Sequence, residues 1–335
     1  MNRDWQPPLT QTPPRILVVR LGAMGDIVHA LPAVASLKQS FPGAQLTWVV
    51  EPQWAALLEG NPFVNRVILL RRRDAAGLLA SWRELRSATF DFAVDFQGLI
   101  KSAVVAAAAG PKRIFGWDRG QLREAAAGVF YTHRASSAAA HVVDRNLDLA
   151  AAAGARQTLR VFPLPAGRPE AALPDGDFVL ASPMAGWRAK QWPVENYLAL
   201  GRLLLHELKL PLVLNGPPGA QLGTADGTWP HACGLPGLLD ATRRAAAVVG
   251  VDSGPMHLAA ALGKTGVALF GPTDPARNGP YGDSLRVLRW PGAVTSYKRL
   301  DAIDESMRRI TVGEVFESLR AALGRGLGES SSGPK

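Results

Sequence analysis

Cysteine is almost absent: Cys233 is the only thiol in 335 residues, which excludes an internal disulfide and any cysteine-based zinc cluster. Long apolar runs are missing as well. The best candidate, residues 103–109, is short and alanine-rich, against the ~18 residues that a membrane-spanning helix needs. Residues 1–14 are polar and proline-rich with no basic-then-apolar leader pattern, so the expected place of work is the cytoplasm. Also lacking are G-x-G-x-x-G with a following acidic residue, an Asp-x-Asp pair and a histidine cluster at ligand spacing. These absences disfavour a nicotinamide-dependent oxidoreductase or epimerase, and neither a metal nor another cofactor is expected.

What is present is an ordinary globular balance, 47% hydrophobic and 19% charged, in a chain long enough for two separate cores. The formal charge of +9 is uneven: 19 Lys and Arg face 12 Asp and Glu up to residue 165, and 18 face 16 beyond it. A basic first half suits an anionic partner such as lipid phosphates, although a merely soluble basic face accounts for charge alone. Nucleic acid is not expected, because no long basic run or binding motif accompanies the charge. Arg71, Arg72 and Arg73 form the one tight cluster, where a strand should end.

Short β-branched runs alternate with helical patterns throughout, which predicts an α/β protein with parallel sheets wound by helices. Strands are expected at residues 15–20, 46–50, 67–70 and 92–96, with helices at 26–40, 99–109, 121–130 and 142–153. Pro32 falls inside the first helix as a possible kink. Residues 162–177 are rich in proline and glycine and read as a linker. The pattern restarts with strands at 178–181, 212–214, 247–251 and 267–270, and helices at 194–208, 238–246 and 256–262. An amphipathic helix at 311–323 precedes a Gly/Ser-rich tail, 324–335, expected to be disordered. Two such halves would face each other across a cleft, with ligands at the carboxyl ends of their strands.

Three segments carry candidate chemistry. Leu21-Gly22-Ala23-Met24-Gly25-Asp26 follows the first strand, where glycines permit close backbone approach and a helix start offers unpaired N–H groups. Asp26 is either a helix-end aspartate satisfying those groups or a catalytic base, and the residues alone leave both open. Asp252-Ser253-Gly254-Pro255-Met256-His257 runs from a strand into a helix, with Ser253 as a good N-cap and Pro255 suited to the first turn. That geometry fits a diphosphate. Asp252 would then face a sugar hydroxyl or cap the turn, and His257 either reaches the anion or is structural. In Trp187-Arg188-Ala189-Lys190-Gln191-Trp192-Pro193, Lys190 either neutralises a departing phosphate or is a solvated loop lysine.

Taken in order, RLGAMGDIVHALPAV (20–34), DFQGLIKSA (95–103), the K-x-W-P at 190–193 and VDSGPMHLAAALGKTGVALFGPTDP (251–275) resemble the glycosyltransferase family 9 heptosyltransferases of lipopolysaccharide core synthesis. The resemblance covers about residues 15–323. The 95–103 stretch, with Phe115-Gly116-Trp117 and Arg123-Glu124, looks most like the branch that adds the first heptose to the Kdo residues of lipid A. It implies a GT-B fold of two Rossmann-like domains, 15–165 for the acceptor and 176–310 for the nucleotide sugar, with the helix at 311–323 packing back toward the first. It further implies inverting transfer of L-glycero-D-manno-heptose from ADP-heptose to Kdo-lipid A, no metal, and peripheral contact with the inner face of the cytoplasmic membrane. Another family member with a different acceptor, or a silent sugar-nucleotide or lipid-binding protein, is the alternative.

Carried over by the same resemblance, Asp26 is the catalytic residue. Met184, Ala185, Gly186, Lys190, Asp252, Ser253, Gly254 and His257 contact the donor. Where relatives often have a Thr pair in the 184–186 loop, backbone N–H groups would substitute here. An acidic residue expected after Asn215-Gly216 is not evident, and Gln221 is the nearest polar side chain. Gly25, Arg71, Arg72, Arg73, Gln97, Lys101 and Arg123 are the acceptor candidates.

Overall fold

The structure, a computed structural model, describes residues 13–329, with side chains described to Gly324. The first twelve residues of the proline-rich start and the last six of the tail lie outside the described residues. The chain divides into two compact units at Pro165 and Ala166.

The first unit runs β1 (Arg15–Val19), α1 (Met24–Ser40), β2 (Gln45–Val50), β3 (Arg66–Leu69), α2 (Ala75–Arg86), β4 (Phe92–Asp95), α3 (Ile100–Ala108), β5 (Arg113–Trp117), β6 (His133–Ala135) and α4 (Val142–Ala152). Its strands form one parallel sheet in the order β3-β2-β1-β4-β5-β6. β1 is central and covered on both faces, which is why Ile16 to Val19 read as an unbroken apolar run and are fully buried. The helix α1 continues through Pro32 to Ser40. The Ser36 hydroxyl donates to the Pro32 carbonyl at 2.7 Å.

The helix expected over 121–130 is a correction: the segment holds two short 3-10 turns, Arg119–Gln121 and Ala125–Val129. Glu124 separates them in extended backbone, its carboxylate drawn away to accept the Ile100 N–H at the start of α3, 2.8 Å. Strands β5 and β6 were not expected; β5 mixes Arg113 with aromatics, and β6 is only three residues long.

The second unit runs β7 (Val179–Ser182), α5 (Val194–Leu208), β8 (Leu212–Gly216), β9 (Thr228–Ala232), α6 (Leu235–Arg244), β10 (Ala247–Val251), α7 (Gly254–Ala261), β11 (Gly266–Phe270), α8 (Pro275–Asn278), β12 (Leu285–Arg289), α9 (Glu305–Arg308) and α10 (Val312–Glu329). The parallel order is β12-β11-β10-β7-β8-β9, the same winding as the first sheet read from its other edge. Trp192 and Tyr197 fill the core beside α10, and the Trp192 indole N–H donates to the Ile310 carbonyl at 2.9 Å.

One expectation changes here. Within the second unit, α10 buries Val315, Phe316 and Leu319 against α5, β10 and β11. The Gly/Ser-rich segment expected to be disordered from 324 continues this helix as far as Glu329. Residues 162–177 lack regular structure, yet part of the segment is strapped to α6. The Arg168 N–H donates to the Pro236 carbonyl at 3.1 Å, and the Gly234 N–H to the Glu170 carboxylate at 2.7 Å. Gly167 has φ +81, and a Cβ there would come within 2.5 Å of α6 backbone, so the strap requires glycine.

In a doubly wound sheet the two crossovers on either side of the switch point diverge and leave their loops free for a ligand. Here those points lie between β1 and β4 in the first unit and between β7 and β10 in the second.

Candidate active site

At the first switch point, Arg20 closes β1 as the one charged residue after an apolar strand, and it is 7% exposed. Its guanidinium reaches across the sheet, donating to the Phe96 carbonyl beyond β4 at 2.5 Å and pairing with the Asp26 carboxylate at 2.6 Å. Asp26 occupies the first turn of α1, and its second oxygen accepts the Ala23 N–H at 3.3 Å. The helix-end role weighed above is therefore present in the structure. It leaves 46% of the side chain open, so the same carboxylate is held from behind and accessible in front. Gly25 is buried in the turn beside it.

Gln97 lies across the same gap, its side-chain carbonyl accepting the Leu21 N–H at 2.9 Å. The turn carrying Gln97 is pinned by Asp95, which is fully buried. Asp95 accepts from the Tyr131 hydroxyl at 2.7 Å, the Ser102 hydroxyl at 2.8 Å, and the Gln97 and Gly98 N–H groups at 2.9 and 3.3 Å. Burial raises the Asp95 pKa, and these four donors pull against it. Burial, followed by the Asp95 charge, likewise pushes the Tyr131 phenol up. Gly98 (φ +69) makes the turn possible, since a Cβ would stand 3.0 Å from Leu122.

The basic candidates separate. Arg72 and Lys101 meet at Glu51, just past β2: one Glu51 oxygen takes the Arg72 Nε at 2.7 Å and the Lys101 ammonium at 3.7 Å. Glu51 is 8% exposed, and it was not singled out in the sequence. Arg71 and Arg73 are exposed alongside; Arg71 is held through its backbone N–H by Ser81 Oγ at 2.9 Å. Arg123 is exposed next to Glu124, the residue that meets the start of α3.

At the second switch point the arrangement is repeated with the signs in place. Lys190, after β7, donates to the Asp252 carboxylate beyond β10 at 2.9 Å, and His257 Nε2 stands 3.5 Å from its other oxygen. Asp252 is 4% exposed. Burial on its own would raise this carboxyl; the His257 hydrogen bond and the Lys190 charge outweigh it and hold the pKa well below the usual carboxylate range. The first turn of α7 follows at once, with Gly254 leading it. Ser253 occupies the N-cap position, but the expected cap bond is not made: its hydroxyl is buried with no partner in the structure. That leaves a hydroxyl donor at the start of α7, where the Met256 and His257 N–H groups turn back to the Ser253 carbonyl at 3.1 and 3.3 Å.

Met184 and Gly186 are exposed, and the Ala185 carbonyl receives the Gln191 amide at 3.4 Å. A Cβ on Gly216 would lie 3.5 Å from the Met184 sulfur, so these residues share one side of the β7–β8 edge. Gln221 is exposed. Asn215 spends its side-chain oxygen on His231 at 3.1 Å and Cys233 at 3.2 Å, and burial first of all pushes the Cys233 thiol up to about 12.

The sequence reasoning missed a second set of cations. Trp187 has the Lys190 ammonium 5.0 Å and the Arg299 guanidinium 5.5 Å from its ring centre, and Tyr297 meets it edge-on at 6.5 Å. Arg277 lies 5.5 Å from the Tyr297 ring. The loop after β12 is brought there because the Ser296 N–H donates to the Pro272 carbonyl at 2.7 Å and Arg289 holds Gly271 and Thr295. Among the described residues no group of three or more His, Cys, Asp or Glu is placed to hold a metal ion.

Two doubly wound parallel sheets, each with a charged cluster at its switch point, define an α/β protein of the GT-B glycosyltransferase type. The profile of glycosyltransferase family 9 (heptosyltransferase) matches residues 78–301, and the chain belongs to that family. It is 32% identical over 299 residues to lipopolysaccharide heptosyltransferase 1 of Pseudomonas aeruginosa, covering 81% of this chain and 82% of that one. The same enzyme of Escherichia coli K12 is 31% identical over 315 residues, 83% of this chain and 94% of the relative. The solved structure of E. coli heptosyltransferase WaaC with ADP superposes with a TM-score of 0.74 at 27% identity, covering 92% of this chain and 99% of that chain.

Proposed function

We propose that the protein transfers L-glycero-D-manno-heptose from ADP-heptose to Kdo-lipid A with inversion, in lipopolysaccharide inner-core synthesis. The relatives named heptosyltransferase 1, and solved relatives holding ADP or an ADP-fluoroheptose, support the donor. The observation that carries the mechanism is Asp26, half open at a switch point with Arg20 gripping its far side. In this reading Asp26 takes the proton from an acceptor hydroxyl, whose oxygen attacks the anomeric carbon opposite the diphosphate. Lys190, the α7 N-terminus with Ser253 and Gly254, and the Arg299–Arg277 pair stabilise the charge growing on departing ADP.

Asp252 does not touch phosphate in this scheme. It holds Lys190 and His257 in place. Met184, Ala185 and Gly186 line the donor side. On the acceptor side, Gly25 allows close approach, while Arg71, Arg72, Arg73, Gln97, Lys101 and Arg123 recognise carboxylates and phosphates. The acceptor is lipid-borne, so the chain works as a peripheral protein on the inner face of the cytoplasmic membrane. No helix of the described residues is long and apolar enough to cross it.

The test is mass spectrometry of Kdo-lipid A incubated with ADP-heptose, with Asp26→Asn alongside. Wild type adds one heptose, and the variant keeps ADP affinity while its turnover falls by about 10²–10⁴. Near-normal turnover of Asp26→Asn would remove it as the base.

A further inference from the structure

Helices α2 and α3 of the first unit expose large apolar side chains at helical spacing. On α2, Leu78, Leu79 and Trp82 are 49%, 48% and 47% exposed, and on α3 Ile100 and Val104 are each 42% exposed. The core-facing positions are others: Ser81 and Leu85 on α2, and Ser102, Ala103 and Ala106 on α3. Both helices cross back between parallel strands, so they run in the same direction. Arg86, in the last turn of α2, donates to the Ala108 carbonyl at the end of α3 at 3.3 Å. One turn back along both helices brings Trp82 level with Val104, and a second brings Leu78 level with Ile100. The exposed side chains therefore form a strip across two helices, where soluble surfaces usually show them singly.

Charge surrounds the strip. Arg71, Arg72 and Arg73 precede α2, Arg83 is next to Trp82, and Lys101 follows Ile100. The acidic neighbours are engaged: Asp74 caps α2, Glu84 pairs with Arg66, Glu51 holds Arg72 and Lys101, and Glu124 meets the α3 start.

We infer that the α2–α3 strip is a docking surface for an anionic lipid bilayer, with Leu78, Leu79, Trp82, Ile100 and Val104 entering the interface. Charge complementarity selects this occupant. Anionic headgroups neutralise the arginines, whereas a second copy of the chain would set them against one another. Tryptophan with leucine on a basic helix is also the composition that interfaces favour. The N-terminal ends of both helices open at the strand ends that carry Glu51 and Asp26, so a lipid-anchored acceptor reaches them without leaving the bilayer. The inference rests on the peripheral-membrane reading above, and the apolar side chains it uses lie outside the donor and acceptor contacts proposed there.

The test is co-sedimentation of the full chain with phosphatidylethanolamine vesicles containing about a quarter phosphatidylglycerol, compared with phosphatidylcholine vesicles. Wild type is expected to bind the anionic vesicles and to be released by salt. L79E/W82E and, independently, V104E should lower partitioning about tenfold or more. Their thermal shift with ADP and their heptose transfer to detergent-dispersed acceptor should stay at wild-type level, showing that they fold. Equal partitioning of wild type and both variants would overturn the surface while leaving the peripheral reading standing. Failure of wild type to bind anionic vesicles would overturn both, and transfer to dispersed acceptor would still report separately on the enzymatic reading. A concentration-dependent dimer abolished by L79E/W82E would assign the strip to a second copy and overturn the lipid.

Discussion

Replacing Lys190 with Met probes the bridge across the second switch point. The Lys190 ammonium lies 2.9 Å from the Asp252 carboxylate, with side-chain exposures of 15% and 5%. At an effective dielectric of ~20 that separation corresponds to an attraction of roughly 6 kcal/mol, most of it offset by desolvation of the two charges. Removing only the lysine leaves a buried carboxylate with the His257 ring, 3.5 Å away, as its remaining partner. The expected loss is about 2–4 kcal/mol in urea unfolding at pH 7, somewhat under the range for breaking a fully buried pair. Asp252→Asn should cost about 1–3 kcal/mol, and the double variant should fall short of the sum by about 1–3 kcal/mol.

The pH dependence follows from the lowered Asp252 pKa. The contribution of the carboxylate is fully present above its unfolded value of about 3.9. It fades as pH falls from there toward the folded value. Wild type and the double variant should accordingly converge in acid and diverge toward neutrality. Lys190→Met should also lose most of the thermal stabilisation by ADP, because the ligand's contribution scales with its affinity. Single-variant losses that add within about 0.5 kcal/mol, with ADP stabilisation unchanged, would refute both the coupling and the phosphate role.

Arg20→Lys keeps the charge but loses the fork that spans Asp26 and the Phe96 carbonyl. Its kcat should fall about tenfold or more while ADP affinity is unchanged, and a shift in ADP affinity alone would contradict a positioning role. Tyr131→Phe removes one of four donors to the buried Asp95, at a cost of about 1–3 kcal/mol. Because the Asp95 pKa is raised, native protein holds an extra proton above pH ~3.9 and stability declines as pH rises toward the folded value. Loss of a donor to the charged form raises that value further. The deficit of Tyr131→Phe should be larger at pH 8 than at pH 5 in parallel urea titrations, and a pH-independent deficit would refute the linkage.

Much of the fold is legible because buried parallel strands announce themselves as apolar runs. β1, β4, β10 and β11 lie in sheet interiors, and each was anticipated to within a residue or so at its ends. Most of the edge strands were not: β3 alone among them was expected, and the interior β5 was missed as well. β6, β9 and β12 each have one strand neighbour, and they admit His133, Pro230 and Arg286, which blur the period on which strand recognition depends. The helix expected over 121–130 failed for another reason: local composition favoured it, but Glu124 is spent on a partner at Ile100. Tertiary demand overrode propensity there.

The candidate site divides along the same physical line. Loop residues in recognisable order, Asp26, Lys190 and Asp252, were visible because a glycine turn or a strand-to-helix junction marks them. Their partners were not, since Lys190 meets Asp252 across 62 residues and Arg20 meets the Phe96 carbonyl across 76. Nothing local distinguishes Arg20 from a solvated strand-end arginine, or Glu51 from an exposed glutamate. Only the winding of the sheet places β1 beside β4 and β7 beside β10. In both units the strands flanking the switch point are thus tied by one cation reaching over the gap, and each tie ends on or beside an aspartate. Asp26 remains half open whereas Asp252 is sealed, and in the proposed mechanism that difference makes Asp26 the proton acceptor and Asp252 the group that holds its neighbours. The assignment of Asp26 as base therefore rests less on its place in a glycine turn, which a helix cap would share, than on Arg20 occupying only one side of it.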